Sequence, residues 1–392
     1  MRKAIVVGGA ALVLVGLGCG SRSSAPPATT ATVTVTTPAT TTAAPTTTTA
    51  PPVTPVPAVF KPLSFTAVAP RTFWLLGATP CHGTLCAAIA HTTDGGAHFS
   101  AVPAPAAPID VSGDTANAID TLRFATDRTG FAFDEASFRS AANASSPIWQ
   151  TTDGGVHWSK LPFDDVRAFA TGGGSLYLVR ATCSTTACTK VTLDRRSLAG
   201  GNWSSTPLET GRIDQLIDLT VHGSSLWISV SPTAGASQTL LHSDNGGTSF
   251  TAGKSPCTNG LGGDLEATSS SVVWAVCPTG MLAEAERSTD GGKTWHTIDV
   301  GRELDNSAQV APTSDTTAVI ATGDQSELMR TDDGGATFVR VYPASSGFWD
   351  FLGFTDTSTG TGLRSVPNAS RGLVVTRSID GGATWKALDI SH

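Results

Sequence analysis

From about residue 59 to the C-terminus, short runs of alternating apolar and polar residues are separated by turn-forming clusters. One stretch has such runs at residues 122–125, 130–133, 148–151 and 157–161. Alternation with a period of two over four to eight residues is typical of half-buried β-strands. The pattern therefore predicts groups of four short antiparallel strands.

An eight-residue turn motif recurs through the same region. Residues 92–99 read TTDGGAHF and residues 151–158 read TTDGGVHW. The seven copies begin at residues 92, 151, 197, 243, 288, 331 and 378, which are 59, 46, 46, 45, 43 and 47 residues apart. The copy at 243 has Asn245 in place of the acid, and the copy at 197 lacks the acid and one further residue. A period of about 40 to 50 residues is that of a four-stranded propeller blade, and the long first interval predicts an insertion in the second blade.

The motif resembles the Asp box, or BNR repeat, of sialidases, sortilin-type receptors and photosystem II assembly factor propellers. The resemblance implies an all-β fold, a seven-bladed β-propeller over residues 59–392 with four antiparallel strands per blade. Strands A to D run from the axis outward, and the box forms the C-to-D turn.

We interpret the polar residue at the centre of each box as a turn stabiliser. Its side chain can accept backbone N–H bonds inside the turn, the Gly pair can take positive φ, and the closing aromatic can pack on the blade. The residues in this role are Asp94, Asp153, Asn245, Asp290, Asp333 and Asp380.

The N-terminus has the pattern of an export signal. Arg2 and Lys3 precede an apolar run over residues 4–17, and small residues lead to Cys19. This resembles the lipoprotein signal of bacteria, which implies a signal peptide at 1–18 and acylation of Cys19, although Gly16 stands where the family usually has Leu. The expected location is the outer side of the cell membrane, with simple secretion or an uncleaved anchor as alternatives.

Residues 19–58 are nearly all Thr, Pro, Ala, Val and Ser. Such a composition cannot build a core, so the segment is predicted to be a disordered, semi-rigid tether. Thr- and Pro-rich stalks are also typical O-glycosylation substrates, and the sequence does not separate that role from a plain spacer.

Six further cysteines favour disulfides in an exported chain. Cys81 and Cys86, and likewise Cys183 and Cys188, are separated by four residues, a span that a turn can close, which leaves Cys257 to pair with Cys277. Zinc binding is the alternative, but neither close pair has the two-residue gap of a zinc knuckle. All three disulfides would lie on the propeller face opposite the boxes.

The charge balance argues against nucleic acid as a partner. Without Arg2 and Lys3 the chain has 23 basic residues (25 − 2) against 32 acidic ones, a net charge of −9 (23 − 32). An acidic protein offers the phosphate backbone no electrostatic attraction.

Two sets of polar residues recur at matching positions in the blades. Aligned A strands place acids at or near one level, either as a mouth for a cation or basic partner or as solvated turn residues. These candidates are Asp120, Asp165, Asp214, Asp264 and Asp350. Residues directly before the boxes form a second ring, suited to partner binding or to surface ion pairs. They are His91, Gln150, Arg196, His242, Arg287, Arg330 and Arg377.

Catalysis has no positive support in the sequence. The chain has two tyrosines, Tyr177 and Tyr342, and no Arg-Ile-Pro element like that of sialidases begins the propeller. No Gly-x-Ser-x-Gly, His-Glu-x-x-His or phosphate-binding Gly loop appears. The resemblance implies a non-catalytic propeller that binds a protein or glycan through the face opposite the boxes, without a cofactor. The alternatives are a divergent glycoside hydrolase using Asp120, Asp165 and Asp350, and a cation-binding structural module.

Overall fold

A computed structural model describes residues 54–390, apart from 112–114, 116, 136–146, 164, 184–187, 211–214, 232–236, 260, 324–325, 344 and 367–372. It is a seven-bladed β-propeller whose blades are sheets of four antiparallel strands in chain order, as predicted. No membrane-spanning helix is found among these residues. The predicted signal peptide, Cys19, most of the tether and Asp214 lie outside the described residues.

The first four blades contain strands β1 to β16. Their bounds are β1 Lys61–Ala69, β2 Thr72–Cys81, β3 Thr84–Thr92 and β4 Ser100–Val102; β5 Thr121–Phe124, β6 Gly130–Phe133, β7 Trp149–Thr151 and β8 Ser159–Lys160; β9 Val166–Gly172, β10 Ser175–Cys183, β11 Cys188–Ser197 and β12 Ser204–Pro207; β13 Gln215–His222, β14 Ser225–Ser231, β15 Thr239–Ser243 and β16 Thr251–Lys254.

The last three blades contain β17 to β29, with one extra strand, β21, that pairs with β19 in blade 5. Their bounds are β17 Asp264–Ala267, β18 Val273–Pro278, β19 Leu282–Ser288, β20 His296–Ile298 and β21 Leu304–Asp305; β22 Gln309–Pro312, β23 Ala318–Ala321, β24 Leu328–Thr331 and β25 Val339–Tyr342; β26 Phe348–Phe354, β27 Gly360–Ser365, β28 Val374–Ser378 and β29 Lys386–Ala387.

The core consists of seven apolar clusters, one between each pair of neighbouring blades. Between blades 1 and 2, for example, the Trp74 ring stacks on Phe124 with 3.9 Å between centroids. Because every sheet packs against a neighbour on both faces, its inner strands are buried on both sides, and strands β5, β6 and β14 are buried throughout.

Blades 7 and 1 close the ring without sharing a strand. Each takes its four strands from one end of the chain, and the seam is filled by side chains such as Phe65, which stacks on Phe351 with 6.0 Å between centroids. Thr54 continues the outer edge of blade 1 by accepting a 2.8 Å bond from the Ala101 amide. Packing and terminal segments therefore hold this seam.

The two ends of the propeller differ in what they contain. The A-to-B and C-to-D turns lie together at one end, called here the box face; the Gly95 amide of the first box, for example, donates to Arg71 O in the A-to-B turn at 3.0 Å. The B-to-C turns and the D-to-A connections lie at the other end, called here the loop face.

Candidate functional site

Each complete box is closed by its own side chains. In blade 5 the Asp290 carboxylate accepts the amides of Lys293 (3.0 Å) and Thr294 (2.9 Å) and the hydroxyls of Ser288 (2.8 Å) and Thr294 (2.6 Å). The Ser288 hydroxyl also accepts the Gly292 amide at 2.8 Å. These bonds favour the ionised acid and lower the pKa of Asp290.

The same contacts recur with different residue types. In the first two boxes an imidazole replaces the threonine, so that Nδ1 of His98 lies 2.7 Å from Asp94 and Nδ1 of His157 lies 2.7 Å from Asp153. In the fourth box Asn245 Oδ1 accepts the Ser249 amide at 3.0 Å. The box acids are therefore occupied inside their turns.

Several residues before the boxes bind a neighbouring blade, while His91 and His242 stack on Trp74 and Trp227 of their own blades. Arg330 Nε donates to Gly381 O at 2.8 Å, and Arg377 Nη1 donates to Gly95 O at 3.2 Å, so each arginine grips the box of the next blade. Arg196 reaches the Gln150 side chain at 2.7 Å. The expected surface ion pairs are present at two positions, since Arg330 pairs with exposed Asp332 and His242 Nε2 lies 3.1 Å from exposed Asp244. The bonds from one blade to another were not predicted.

Asp120 lies in a buried charged cluster at the start of blade 2. Its Oδ1 accepts the Glu135 amide at 3.0 Å and the Thr121 hydroxyl at 2.7 Å. Arg123 is also buried, donates to Leu122 O at 2.8 Å and lies 3.7 Å from the Glu135 carboxylate. Burial lowers the pKa of Arg123, and the attraction of Glu135 and Asp120 opposes that shift. The acid thus belongs to an internal cluster.

The alignment that placed Asp165 level with Asp120 is wrong. The A and B strands are joined by five residues in blade 2 but by two in blade 3. The sequence alignment matched Phe169 to Phe124. The strand pairing shows instead that Gly172 is the residue at the level of Phe124. Asp165 is therefore three residues farther from the turn than Asp120.

Asp165 forms an ion pair within its own blade. Arg180 donates to its carboxylate through Nε at 2.6 Å and Nη2 at 3.0 Å, and through Nη1 to Asp194 at 2.6 Å. The guanidinium also lies 4.3 Å from the Phe163 ring centroid. Two carboxylates thus share one arginine beside the loop face.

Asp264 connects two blades. Its Oδ2 accepts the Val310 amide of the next A strand at 3.0 Å, and Asp218 accepts the Leu265 amide at 3.1 Å in the same way one blade earlier. Ser64 performs this role between blades 1 and 2, with a 3.0 Å bond from the Leu122 amide. The sequence analysis did not predict this role for Asp218 or Ser64. Both lie one residue after the level of Asp120 in their A strands, and this shared position could have identified them.

Asp350 keeps its predicted level and lines a small cavity with Arg123 and Thr121. The cavity is about 10 Å³, room for about one water molecule, and Phe65, Phe351 and Leu363 form part of its wall. Of the three acids considered for glycoside hydrolysis, only Asp350 lines this cavity, and the space does not admit a sugar ring. No group of three or more metal-ligating side chains occurs in the described residues.

Three disulfides fasten the loop face with the expected pairing. Cys81–Cys86 and Cys183–Cys188 close B-to-C turns in blades 1 and 3. Cys257–Cys277 joins the connection before blade 5 to the B strand of that blade. The first two bridges join cysteines of strands that already pair, whereas Cys257 lies outside any strand.

Exposed apolar side chains are concentrated on the loop face. Ten large apolar side chains are exposed in the part of the chain that the structure describes. Two belong to boxes (Val156 and Ile379) and one begins an outer strand (Val339). The other seven lie in B-to-C turns, in connections or at the first residues of strands that begin at this face: Val59, Leu85, Val111, Leu261, Met281, Leu282 and Phe348.

The fold and its turns define the class of this protein: a seven-bladed β-propeller built on Asp-box repeats. The family model described as BNR/Asp-box repeat matches residues 286–297, which contain the box of blade 5. No curated protein matches the sequence.

Solved structures with the same fold include binding proteins and enzymes. "YCF48 bound to D1 peptide" is 17% identical, with a TM-score of 0.54 over 84% of this chain and 96% of that one. A structure of prolyl endopeptidases is 11% identical, with a TM-score of 0.56 over 84% of this chain and 50% of the other. A catalytically inactive virginiamycin B lyase from Staphylococcus aureus with quinupristin is 13% identical, with a TM-score of 0.52 over 82% and 96%. At these identities the likeness shows the fold alone.

Proposed function

We propose that this propeller is a non-catalytic binding protein that recognises a segment of another protein through its loop face. The observation that carries the proposal is the concentration there of seven of the ten exposed large apolar side chains of the described residues. Exposed apolar surface on a rigid scaffold is typical of interaction sites. The peptide bound to the YCF48 propeller provides a precedent within the same fold.

The engagement of the candidate acids supports a non-catalytic role. Asp165 is held by Arg180 and Asp264 by a backbone amide of the next blade. A general acid or nucleophile must reach a substrate, and these groups are committed to the scaffold.

Position-resolved photo-crosslinking in intact cells tests the proposal. A photoreactive amino acid at Leu85 on the loop face is compared with one at Val156 on the box face, which is also exposed. We expect a protein adduct, identified by mass spectrometry, from the loop-face position only. Adducts from Val156 alone, or from neither position, would contradict the proposal.

We further propose that the chain is exported and held at the outer side of the cell membrane through acylated Cys19. The apolar run before that cysteine and the Thr- and Pro-rich segment after it support this location. Replacing Cys19 by Ala should release the protein into the medium. A variant that stays with the membrane would contradict attachment through acylated Cys19.

A further inference from the structure

A continuous surface on the loop face of blades 5 to 7 combines exposed apolar side chains with arginines. We call it the blade 5–7 strip, and its members are Met281, Leu282, Arg302, Arg340, Phe348 and Arg364. Met281 is 81% exposed and Phe348 49% exposed. The Arg302 and Arg340 side chains are 47% and 53% exposed.

Direct hydrogen bonds join the parts of the strip. The connection between blades 5 and 6 is fixed to the turn of Met281, because the Asn306 amide donates to Met281 O at 3.1 Å. Arg302 in the same connection reaches Glu327 of blade 6 at 3.1 Å. Next to Glu327, Ser326 O accepts the Trp349 indole N–H at 2.9 Å, beside Phe348. The segments that carry the strip are therefore bonded to one another across three blades.

The arginines of the strip outnumber the acids that hold them. Arg302 Nε and Arg340 Nη1 donate to the two oxygens of one carboxylate, Glu327, each at 3.1 Å. The Glu327 side chain is only 4% exposed, so both exposed guanidinium groups are bonded to a buried carboxylate. Two further acids lie in the same connection: exposed Glu303 follows Arg302, and Asp305 pairs with Leu282 and accepts the Ser307 amide at 2.7 Å.

Arg364 forms the third cation of the strip. Its guanidinium lies 5.5 Å from the Tyr342 ring centroid and 6.0 Å from that of Trp349, and Nη1 donates to the Ser345 hydroxyl at 2.6 Å. Of the three arginines, Arg302 and Arg340 share the Glu327 carboxylate, while Arg364 is held by a hydroxyl and two aromatic rings. Positioned guanidinium forks with outward N–H groups suit carboxylates.

We infer that the blade 5–7 strip binds a peptide segment in which Asp or Glu side chains stand next to apolar residues. The inference rests on the proposed function and adds to it the place and the chemistry of the ligand. The partner's carboxylates pair with Arg302 and Arg340, and its apolar side chains cover Met281, Leu282 and Phe348. Opposite charge and apolar area together provide the recognition.

A displayed library of random twelve-residue peptides, selected on the immobilised full chain, tests this ligand chemistry. Dissociation constants of enriched peptides are then measured against Arg340→Gln and Met281→Ser. Both variants leave Glu327 paired with Arg302, so the buried acid keeps a partner, and thermal melts check that they fold. Arg128→Gln and Ile379→Ser are matched controls, since both residues are exposed on the box face.

We expect enriched peptides to contain Asp or Glu beside apolar residues. Their dissociation constants should rise about tenfold in each strip variant and stay within about twofold in the controls. Binding to Arg340→Gln should also lose most of its dependence on salt concentration.

Two results would overturn the inference in different ways. Enriched peptides that are basic, or that bind the strip variants as tightly as the unmodified chain, would refute the strip and leave peptide binding standing. Failure to enrich any peptide above background would count against both the strip and the proposed function.

Discussion

The two faces of this propeller differ in the hydrogen bonding of their polar groups and in the exposure of their apolar side chains. On the box face, each complete box uses its carboxylate, hydroxyl and amide groups inside one turn, as Asp290 and Ser288 do. On the loop face, disulfides fix segments of unequal length, and apolar side chains such as Met281 remain exposed. The repeated chemistry therefore stabilises individual turns, and the unrepeated face leaves apolar side chains exposed.

The largest expected effect comes from a seam beside the box face. Trp227 is fully buried and donates to Gly291 O of the next blade at 2.9 Å. Trp227→Ala should destabilise by about 3–5 kcal/mol, because it leaves a cavity; Trp227→Phe keeps most of the ring and should cost about 1 kcal/mol for the lost bond. Urea unfolding measures both, and similar small losses would mean that this seam does not support the ring.

The next effect tests the covalent stiffening of the loop face. Replacing Cys257 and Cys277 by Ala opens a bridge with a sequence separation of 20. Chain entropy predicts a loss of about 3 kcal/mol, compared with about 2 kcal/mol for removing Cys81–Cys86, whose loop is shorter. Unfolding of the oxidised proteins gives both values. The reverse order would show that loop length does not govern these bridges.

A smaller effect is the pH-dependent stability that an ionised box acid contributes. Hydrogen bonds from Thr337 lower the pKa of Asp333 to about 2, below the value of about 3.9 for an unfolded Asp. The ionised acid therefore stabilises the fold above about pH 4, and this contribution is lost as pH falls towards 2. Asp333→Asn should lower the Tm slightly at pH 7, since Asn245 serves in the fourth box.

The Tm difference between Asp333→Asn and the unmodified chain should then disappear by about pH 2, measured by circular dichroism. A difference that stays constant from pH 7 to pH 2 would contradict a role for the ionised carboxylate. Val339, exposed on the same blade, offers a control: Val339→Ser should give a pH-independent Tm difference.

The smallest effect compares exposed apolar residues of the two faces. Met281 is 81% exposed and Ile379 79% exposed, so replacing either by Ser should change the free energy of unfolding by under about 0.5 kcal/mol. Thermal denaturation checks this. A large loss for Met281→Ser alone would make that residue part of the scaffold and weaken its assignment to a binding surface.

The number of blades and the position of their turns were predictable because the box is a local structure. Its Gly pair takes positive φ in every copy, including Gly200 and Gly201 of the worn third box. Two disulfides were predictable for the same reason, since four residues between cysteines fit a turn. Local chemistry of this kind is readable without knowing what surrounds it.

The candidate site was less predictable because it depends on how blades fit together. Asp165 was misplaced because a two-residue turn in blade 3 replaces the five-residue turn of blade 2. Arg330 forms the expected ion pair with exposed Asp332, but the bonds of Arg330 and Arg377 to the next blade were not predicted. Strand register and partners in a neighbouring blade do not follow from spacing along one blade.

The sequence by itself determined the Asp-box propeller, its seven blades and the two faces, because turns and alternating strands are encoded within a few residues. The packing of the blades decides which acids bond to other parts of the scaffold and which apolar side chains stay exposed. The carboxylate of Asp264 is satisfied by an amide 46 residues away, and Glu327 by arginines from two different elements. Such contacts exist only after neighbouring blades have packed together.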